Sequence, residues 1–314
     1  MNEISRRFPK DDGLKKEIAV GYSQIGGATN DLEEAAHYFE MSIAMRENLL
    51  KTSPDNLLVR RGLMVAYGNY AVVLGIPWTA NLGRFDDARE YCRKAVAIAH
   101  EQVKADPENL NARFDLGASL SRLGAIPPAA GGVQASLYAL NEAAGVLEAL
   151  LKANPKGIRF ALQFGEALEF AGHRYETLGD TAAAEQHYRR AIAIIDATPG
   201  ASADLSSQVE AIASEEALAQ LYDASRRTAE ALDSATRAVA RAEKWKAKGA
   251  EDAVAGNLGR AYLVLASIRR DAGDPQSAAQ AAALAVSQLR TLSSPRLIAF
   301  YRDTLAEAEA LINH

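Results

Sequence analysis

The chain has 314 residues, more than a single hydrophobic core usually holds, and this length predicts either two domains or an elongated repeat array. Its net charge of −5 argues against broad attraction to nucleic acids or to anionic membranes. A single cysteine excludes an internal disulfide framework and is typical of a reducing compartment. We expect a cytoplasmic protein without a signal peptide or a membrane-spanning segment.

Six segments along the chain share the pattern of a helix that packs through one face, which we name the first-helix stripe. Each has a large side chain, in most cases a small one beside it, and a large one three positions further on. This spacing brings the three side chains to one side of a helix. In chain order the sets are Ile18/Ala19/Tyr22, Leu63/Met64/Tyr67, Leu116/Gly117/Leu120, Phe164/Gly165/Leu168, Leu218/Ala219/Tyr222 and Leu258/Gly259/Tyr262.

A second pattern, the second-helix stripe, follows each of these segments with residues spaced by four and then three, most of them small. Small residues on one helical face let a neighbouring helix approach closely, because little side chain separates the two backbones. The six sets are Ala35/Phe39/Ser42, Ala88/Cys92/Ala95, Ala143/Leu147/Leu150, Ala184/Tyr188/Ala191, Ala231/Ala235/Ala238 and Ala278/Ala282/Ala285.

Proline-containing turns separate the predicted helix pairs. The turns are "SPDN" (53–56), "DPEN" (106–109), "NPKG" (154–157), "TPGA" (198–201) and "SPRL" (294–297). Each proline stops one helix shortly before the next begins. The predicted pairs cover residues 13–54, 55–107, 108–155, 156–199, 202–249 and 250–295. The amphipathic segment 296–312 is predicted to be a capping helix.

These stripes and the closing proline resemble the tetratricopeptide repeat (TPR) superfamily over residues 13–295. The resemblance implies an all-α fold, a right-handed superhelical solenoid of about six antiparallel helix pairs and a C-terminal capping helix, as a single domain over residues 1–314.

A narrower resemblance is to the helical arrays that follow the kinase domain in bacterial Ser/Thr protein kinases. It is carried by Asn81-Leu82-Gly83, Ala88, Asp106-Pro107, Asn109 and Arg113. The Gly-rich loop, His-Arg-Asp and Asp-Phe-Gly motifs of a kinase do not occur in the sequence. The resemblance therefore implies the non-catalytic part of such a protein or a separate relative of it.

Residues with catalytic or metal-binding chemistry form no recognisable motif. His173 and Glu176 are three positions apart, but no HExxH spacing occurs and no cysteine is near, so we interpret the histidines as surface or packing residues. Cys92 lies on a second-helix stripe and is predicted to be buried and structural. The glycine-rich stretches at 26–31 and 129–134 lack the lysine of a P-loop and are predicted turns. We predict no enzyme activity, no cofactor and no metal.

A partner-binding groove is expected along the first helices, which line the concave side of a helical-pair solenoid. Arginines there could bind carboxylates, and aromatic rings could bury an apolar anchor, so we predict a protein or peptide partner with acidic and hydrophobic elements. The predicted partner-binding residues are Arg61, Asn69, Phe114, Arg122, Arg159, Glu166, Phe170 and Arg260. The predicted loops 75–81 and 124–138, with Trp78 and Tyr138, form an alternative surface.

Three functions are compatible with these features. The first is a non-catalytic protein–protein interaction scaffold, which the narrower resemblance implies to be the regulatory or partner-binding region of a bacterial Ser/Thr kinase signalling protein. The second is a sensor that binds a small molecule or a short signalling peptide in the groove. The third is an enzyme, which would need titratable groups that converge in one pocket. Glu166, Glu169, His173 and Glu176 come nearest to this in sequence, and we interpret them as the polar face of one helix.

Overall fold

The computed structural model describes residues 11–247 and 251–312, without the side chains of 251–253. These residues form fourteen α-helices and one short 3₁₀ turn, Ala201–Ala203, and contain no β-strand. The all-α fold predicted from the sequence is confirmed. The helices are α1 (Asp12–Ala28), α2 (Leu32–Thr52), α3 (Leu57–Gly75), α4 (Phe85–Ala105), α5 (Leu110–Ala125), α6 (Val133–Ala153), α7 (Ile158–Thr177), α8 (Thr181–Ala197), α9 (Leu205–Ala224), α10 (Thr228–Lys246), α11 (Glu251–Asp271), α12 (Pro275–Leu289), α13 (Pro295–Phe300) and α14 (Arg302–Ile312).

Short turns with side-chain caps set where many of these helices begin. Asp31 precedes α2 and accepts a 2.8 Å hydrogen bond from the backbone N–H of Glu34. Asn56 and Asn109 cap α3 and α5 in the same way, two positions after the prolines of two predicted turns. Each cap satisfies backbone N–H groups that the start of a helix leaves unpaired, and so stabilises that boundary.

The helices divide into two compact units. Unit 1 extends to Pro128 and contains α1–α5, and unit 2 starts at Ala129 and contains α6–α14. In unit 1 and from α6 to α12 in unit 2, each helix contacts the next one along the chain; α1 also contacts α3, and α9 contacts both α7 and α11. This sequential packing is that of stacked helical hairpins. The boundary falls inside the predicted pair 108–155, so the single array over 1–314 stays a prediction.

The predicted stripes lie where the helices meet. Every residue of the six second-helix stripes is buried, with Ala88 and Ala184 at 0% exposure and Ala278 at 3%. The first-helix stripes are buried as well, except Ile18 and Tyr22, which are half-buried. Their assignment to helix contacts is therefore confirmed.

Two glycines show how closely the helices approach each other. A Cβ atom added at Gly259 of α11 would lie 2.5 Å from Cγ of Leu289 in α12. One added at Gly172 of α7 would lie 2.5 Å from Cε1 of Tyr188 in α8. These distances are too short for any side chain, so a large residue on one helix packs directly on the backbone of the other.

The predicted capping helix 296–312 is two helices. Residues Pro295–Phe300 form α13 and residues Arg302–Ile312 form α14, with Tyr301 between them. Tyr301 is buried, and its ring lies against α11 so closely that a Cβ atom at Gly256 would be 2.1 Å from it. The prediction of a single helix from the amphipathic pattern is therefore wrong. The break lies at Tyr301, whose ring occupies the space beside Gly256.

The predicted loop 124–138 is shorter than expected. The preceding helix continues to Ala125, and α6 begins at Val133 and carries Tyr138, which is 74% exposed. Tyr138 therefore belongs to a helix surface, and the expectation that a loop presents it is wrong.

One helix among the described residues, α3, is long and apolar enough to cross a membrane by length and composition alone, with a mean hydropathy of 1.2. More than half of it is buried within the protein, at 56% of an 18-residue window, and it packs against α2 and α4. These contacts explain why α3 is so apolar, because a helix that packs on both sides within a protein core has few polar side chains.

Ala88→Leu is expected to lower the free energy of unfolding by about 1–3 kcal/mol, because the added carbons have no space beside α3. Urea denaturation followed by circular dichroism measures the change. Ala97→Leu is the matched control, since Ala97 lies on the exposed side of the same helix, α4. Equal unfolding midpoints for the two variants would contradict the role assigned to the stripe.

Candidate partner-binding sites

A cavity of about 360 Å³ lies in unit 1 between α1 and α3, and we name it the α1–α3 cavity. It contains two of the predicted partner-binding residues, Arg61 and Asn69. Its lining combines apolar side chains with hydroxyl, amide and guanidinium groups: Val20, Ser23, Gln24, Arg46, Leu58, Arg61, Gly62, Val65 and Asn69.

Arg61 is already neutralised by a carboxylate of its own unit. Its Nε lies 2.6 Å from Oδ2 of Asp115 and its Nη2 lies 3.1 Å from Oδ1, a two-point ion pair between α3 and α5. The hydrogen bond to Asp115 raises the pKa of the Arg61 guanidinium. The free positive charge expected at Arg61 is therefore corrected: its side chain sits at the edge of the cavity with its charge balanced.

Arg46 is the cation that the sequence analysis missed. It is 6% exposed, and its Nη1 donates to the backbone oxygens of Ala19, at 3.0 Å, and Ser42, at 3.3 Å. No carboxylate in the described part of the chain forms an ion pair with it, and burial alone lowers its pKa. Arg46 follows Ser42 by four positions, so it lies on the same helical face as the second-helix stripe 35/39/42. An arginine on this buried face is the sequence feature that could have identified it.

The other predicted residues of unit 1, Phe114 and Arg122, do not line the α1–α3 cavity. Both lie on α5 and are half-buried. The Arg122 guanidinium packs on α3, where a Cβ atom at Gly68 would lie 3.2 Å from its Nη1. Arg122 thus joins α5 to α3 within the unit.

The predicted residues of unit 2 have different surroundings. Arg159 is exposed, with its Cζ 4.8 Å from the centre of the Phe160 ring. Glu166 is half-buried and accepts a hydrogen bond from Nε2 of Gln163. Phe170 is 8% exposed, so its expected role as an open apolar contact is corrected by its burial.

Arg260, the last predicted residue, belongs to a buried group of charges. Its Nε lies 2.6 Å from Oε2 of Glu216, which is 4% exposed. Glu210, at 7% exposure, lies within reach of the charges of Arg260 and Glu169. We name Glu169 on α7 with Glu210 and Glu216 on α9 the carboxylate cluster, with Arg260 of α11 as its cation.

His173 of α7 sits beside this cluster. Its Nε2 is 3.4 Å from Oε1 of Glu169, its Nδ1 is 3.3 Å from Oε2 of Glu176, and the Tyr188 hydroxyl is 2.8 Å from Nδ1. Burial lowers the pKa of His173, but the two carboxylates outweigh burial and raise it to about 9. No group of three or more His, Cys, Asp or Glu side chains in the described residues could hold a metal ion.

Another cavity, about 550 Å³ in volume, is lined by α8, α9 and α10 of unit 2. Its arginines already have carboxylate partners: Arg189 pairs with Glu185, Arg237 with Glu215 and Arg241 with Asp196. The pair Arg189–Glu185 lies within α8, whereas the other two pairs join α10 to α9 and to α8.

Cys92 has the surroundings that the sequence predicted. It is 1% exposed, and burial raises the pKa of its thiol to about 12, which keeps it in the unreactive thiol form.

Comparison with known proteins identifies one sequence repeat in this chain. Residues 165–197 match the model of the tetratricopeptide repeat, within the predicted pair 156–199. No curated protein is similar enough in sequence to count as a match.

Solved structures share the fold at low sequence identity. BtubC (BKLC) from P. vanneervenii is 17% identical with a TM-score of 0.51, over 83% of this chain and 91% of that one. The apo form of RapI is 11% identical with a TM-score of 0.52, over 95% and 71%. A Rap protein complexed with competence and sporulation factor is 14% identical with a TM-score of 0.52, over 96% and 76%.

The chain is therefore an α-helical repeat protein with one segment that matches the tetratricopeptide repeat, and its fold is shared with the structures above. The resemblance to TPR proteins predicted from the sequence is confirmed at the level of fold and repeat. The narrower resemblance to the region that follows a kinase domain stays a prediction.

His173→Gln is expected to flatten the dependence of stability on pH between about pH 6.5 and pH 9. The raised pKa means that the folded chain binds the proton more tightly than the unfolded chain. This contribution to stability is complete below the unfolded pKa of about 6.5 and is lost as the pH rises through the folded value.

Urea midpoints across that pH range measure the effect, and His37→Gln, at an exposed position of α2, is the control. The same decline with pH in wild type and His173→Gln would show that the carboxylates do not hold the imidazole proton.

Proposed function

We propose that the chain is a non-catalytic scaffold that binds a segment of a partner protein in the α1–α3 cavity. The partner segment carries an acidic group beside an apolar side chain. The observation that carries this proposal is Arg46, a buried cation that lines the cavity and has no carboxylate partner among the described residues.

The unused nitrogens of Arg46 suit a carboxylate. Its hydrogen bonds to Ala19, Ser23 and Ser42 all use Nη1, so Nε, which packs beside Gly62, and Nη2 have no hydrogen-bond partner among the described residues. These two nitrogens form a planar pair of donors, which binds the two oxygens of a carboxylate side by side. A buried cation gains much from such a partner, because little water solvates it.

Apolar side chains beside Arg46 suit the second element of the partner. Leu58 and Val65 line the cavity and are 68% and 41% exposed, so they offer apolar surface beside Arg46. An aliphatic side chain of the partner would cover them. Gln24 and Asn69 supply amide groups that can bond the backbone of a bound segment.

We propose the biological setting of this scaffold from its resemblance to other proteins. The Rap structure with competence and sporulation factor has a bound factor on a similar fold. The "NLG" and "DPEN" motifs support a regulatory or partner-binding region in bacterial Ser/Thr kinase signalling, and the single cysteine supports a cytoplasmic setting. TPR-type folds generally act as interaction scaffolds, which supports a role without catalysis.

The alternative is a sensor that binds a small molecule or a short signalling peptide in the same cavity. The observation in its favour is the volume, about 360 Å³, which lies in the range of small-ligand pockets. Native mass spectrometry of the purified chain discriminates the two, since a sensor would retain a small bound molecule.

Arg46→Gln is expected to lose the partner that the wild-type chain captures from an extract of the source organism, by roughly tenfold or more, because the partner's carboxylate would lose its cation. Quantitative mass spectrometry of the captured proteins measures the loss. Arg60→Gln is the matched control, since Arg60 pairs with Glu101 on the surface and does not line the cavity.

Val65→Asp tests the same site without removing the buried hydrogen bonds of Arg46. It places a negative charge under the partner's apolar side chain, in the same cavity as the partner's acidic group, so we expect the same partner to be lost. Capture of an identical set of proteins by the wild type, Arg46→Gln and Val65→Asp would refute the proposed site.

A further inference from the structure

We infer that the carboxylate cluster of unit 2 binds a guanidinium or ammonium group of a partner, beside Arg260. This is a second site, of opposite charge to the α1–α3 cavity and in the other unit. It does not depend on the proposed function of that cavity.

The first observation is an oxygen atom without a partner. Oε2 of Glu216 accepts a hydrogen bond from Nε of Arg260, but Oε1 is buried and has no hydrogen-bond partner among the described residues. Buried carboxylate oxygens are almost always hydrogen-bonded, because burial removes the water that would otherwise bind them. A donor from outside the chain would satisfy Oε1.

The second observation is an excess of negative charge. Arg260 is the one cation whose charge acts on both Glu210 and Glu216 in the described structure, and Glu169 is close enough to act on each of them. Glu169 shares His173 with Glu176. Several carboxylates held together in a poorly solvated place repel one another unless a further cation joins them.

Glu210 is the least compensated member of the cluster. Its side chain accepts a 3.2 Å hydrogen bond from the Ser214 hydroxyl and takes part in no ion pair among the described residues. It packs on the backbone of α7, where a Cβ atom at Gly165 would lie 3.2 Å from its Cγ. The small residue at Gly165 therefore gives this carboxyl its position between the two helices.

The pKa values of Glu210 and Glu216 reflect the same excess of negative charge. Burial, with the nearby charges of Glu169 and Glu166, raises the pKa of Glu210 well above its ordinary value. Burial is also the main cause that raises the pKa of Glu216, to about 7, against the opposing effect of Arg260. These carboxyls hold protons in place of a missing cation, so binding of a cation is expected to release protons.

The cluster reaches the surface at α11. The Arg260 side chain is 32% exposed and Asn257, one turn earlier, is half-buried, so the cation of the cluster extends to the surface along this helix. The described carboxylates do not converge as metal ligands. A flat organic cation with several N–H donors, above all a guanidinium, fits separate carboxylates better than a metal ion does.

Titration of the full chain at neutral pH with N-acetylarginine amide, and with its neutral isostere N-acetylcitrulline amide, tests the inference. We expect the arginine compound to raise the thermal midpoint in a saturable manner and to release protons, and the citrulline compound to do neither. N-acetyllysine amide distinguishes a guanidinium from an ammonium preference, and saturable stabilisation by either cation supports the site. An equal response to arginine and citrulline compounds would overturn it.

The variant Glu216→Gln tests whether the cation binds at the carboxylate cluster. We expect it to weaken binding of the cation by roughly tenfold or more, the scale of one lost charge-assisted hydrogen bond. Glu215→Gln is the matched control, because Glu215 is equally buried but both of its oxygens accept hydrogen bonds from Nε of Arg237. Binding that is unchanged in Glu216→Gln, or stabilisation by Mg²⁺ that this variant abolishes, would overturn the assignment. If Glu216→Gln does not fold, the arginine–citrulline difference in the wild-type chain decides the outcome.

Discussion

Close contact between helices, through stripes of alanine and glycine, is the constraint on which each unit depends. Where Gly172 and Gly259 face Tyr188 and Leu289, a side chain of one helix rests on the backbone of the other. One hairpin cannot bury both of its faces, so neighbouring hairpins must stack in chain order. The first helices then lie next to one another, as α1 with α3 and α9 with α7 and α11. Both proposed sites lie along these first-helix neighbours.

The fold was largely predictable because its information is local. Helical period, small residues on the stripes and asparagine caps after proline are all visible within short windows of sequence. The break between α13 and α14 is different, because it occurs where the Tyr301 ring meets Gly256 of α11, far away in the sequence. No short window around Tyr301 contains that contact.

The sites were less predictable because charge balance is not local. Arg61 lines the cavity with Asn69, but its neutralisation depends on Asp115, which lies 54 positions away. Arg46 could have been found by extending the second-helix stripe by one turn. Glu210 and Glu216 lie in a segment that reads as a mixed polar and apolar helix, and their burial depends on α7 and α11 on either side.

The uncompensated charge of Arg46 is the central claim, and the side-chain Nε–H signal of Arg46 in a ¹H–¹⁵N NMR spectrum tests it most directly. The spectrum is recorded while N-acetylleucine, which has a carboxylate beside an apolar side chain, is added to the full chain. We expect the Arg46 signal to shift in a saturable manner, and not to shift with uncharged N-acetylleucine amide. An Arg46 signal that responds to neither compound, while that of Arg61 responds to the acid, would contradict the account.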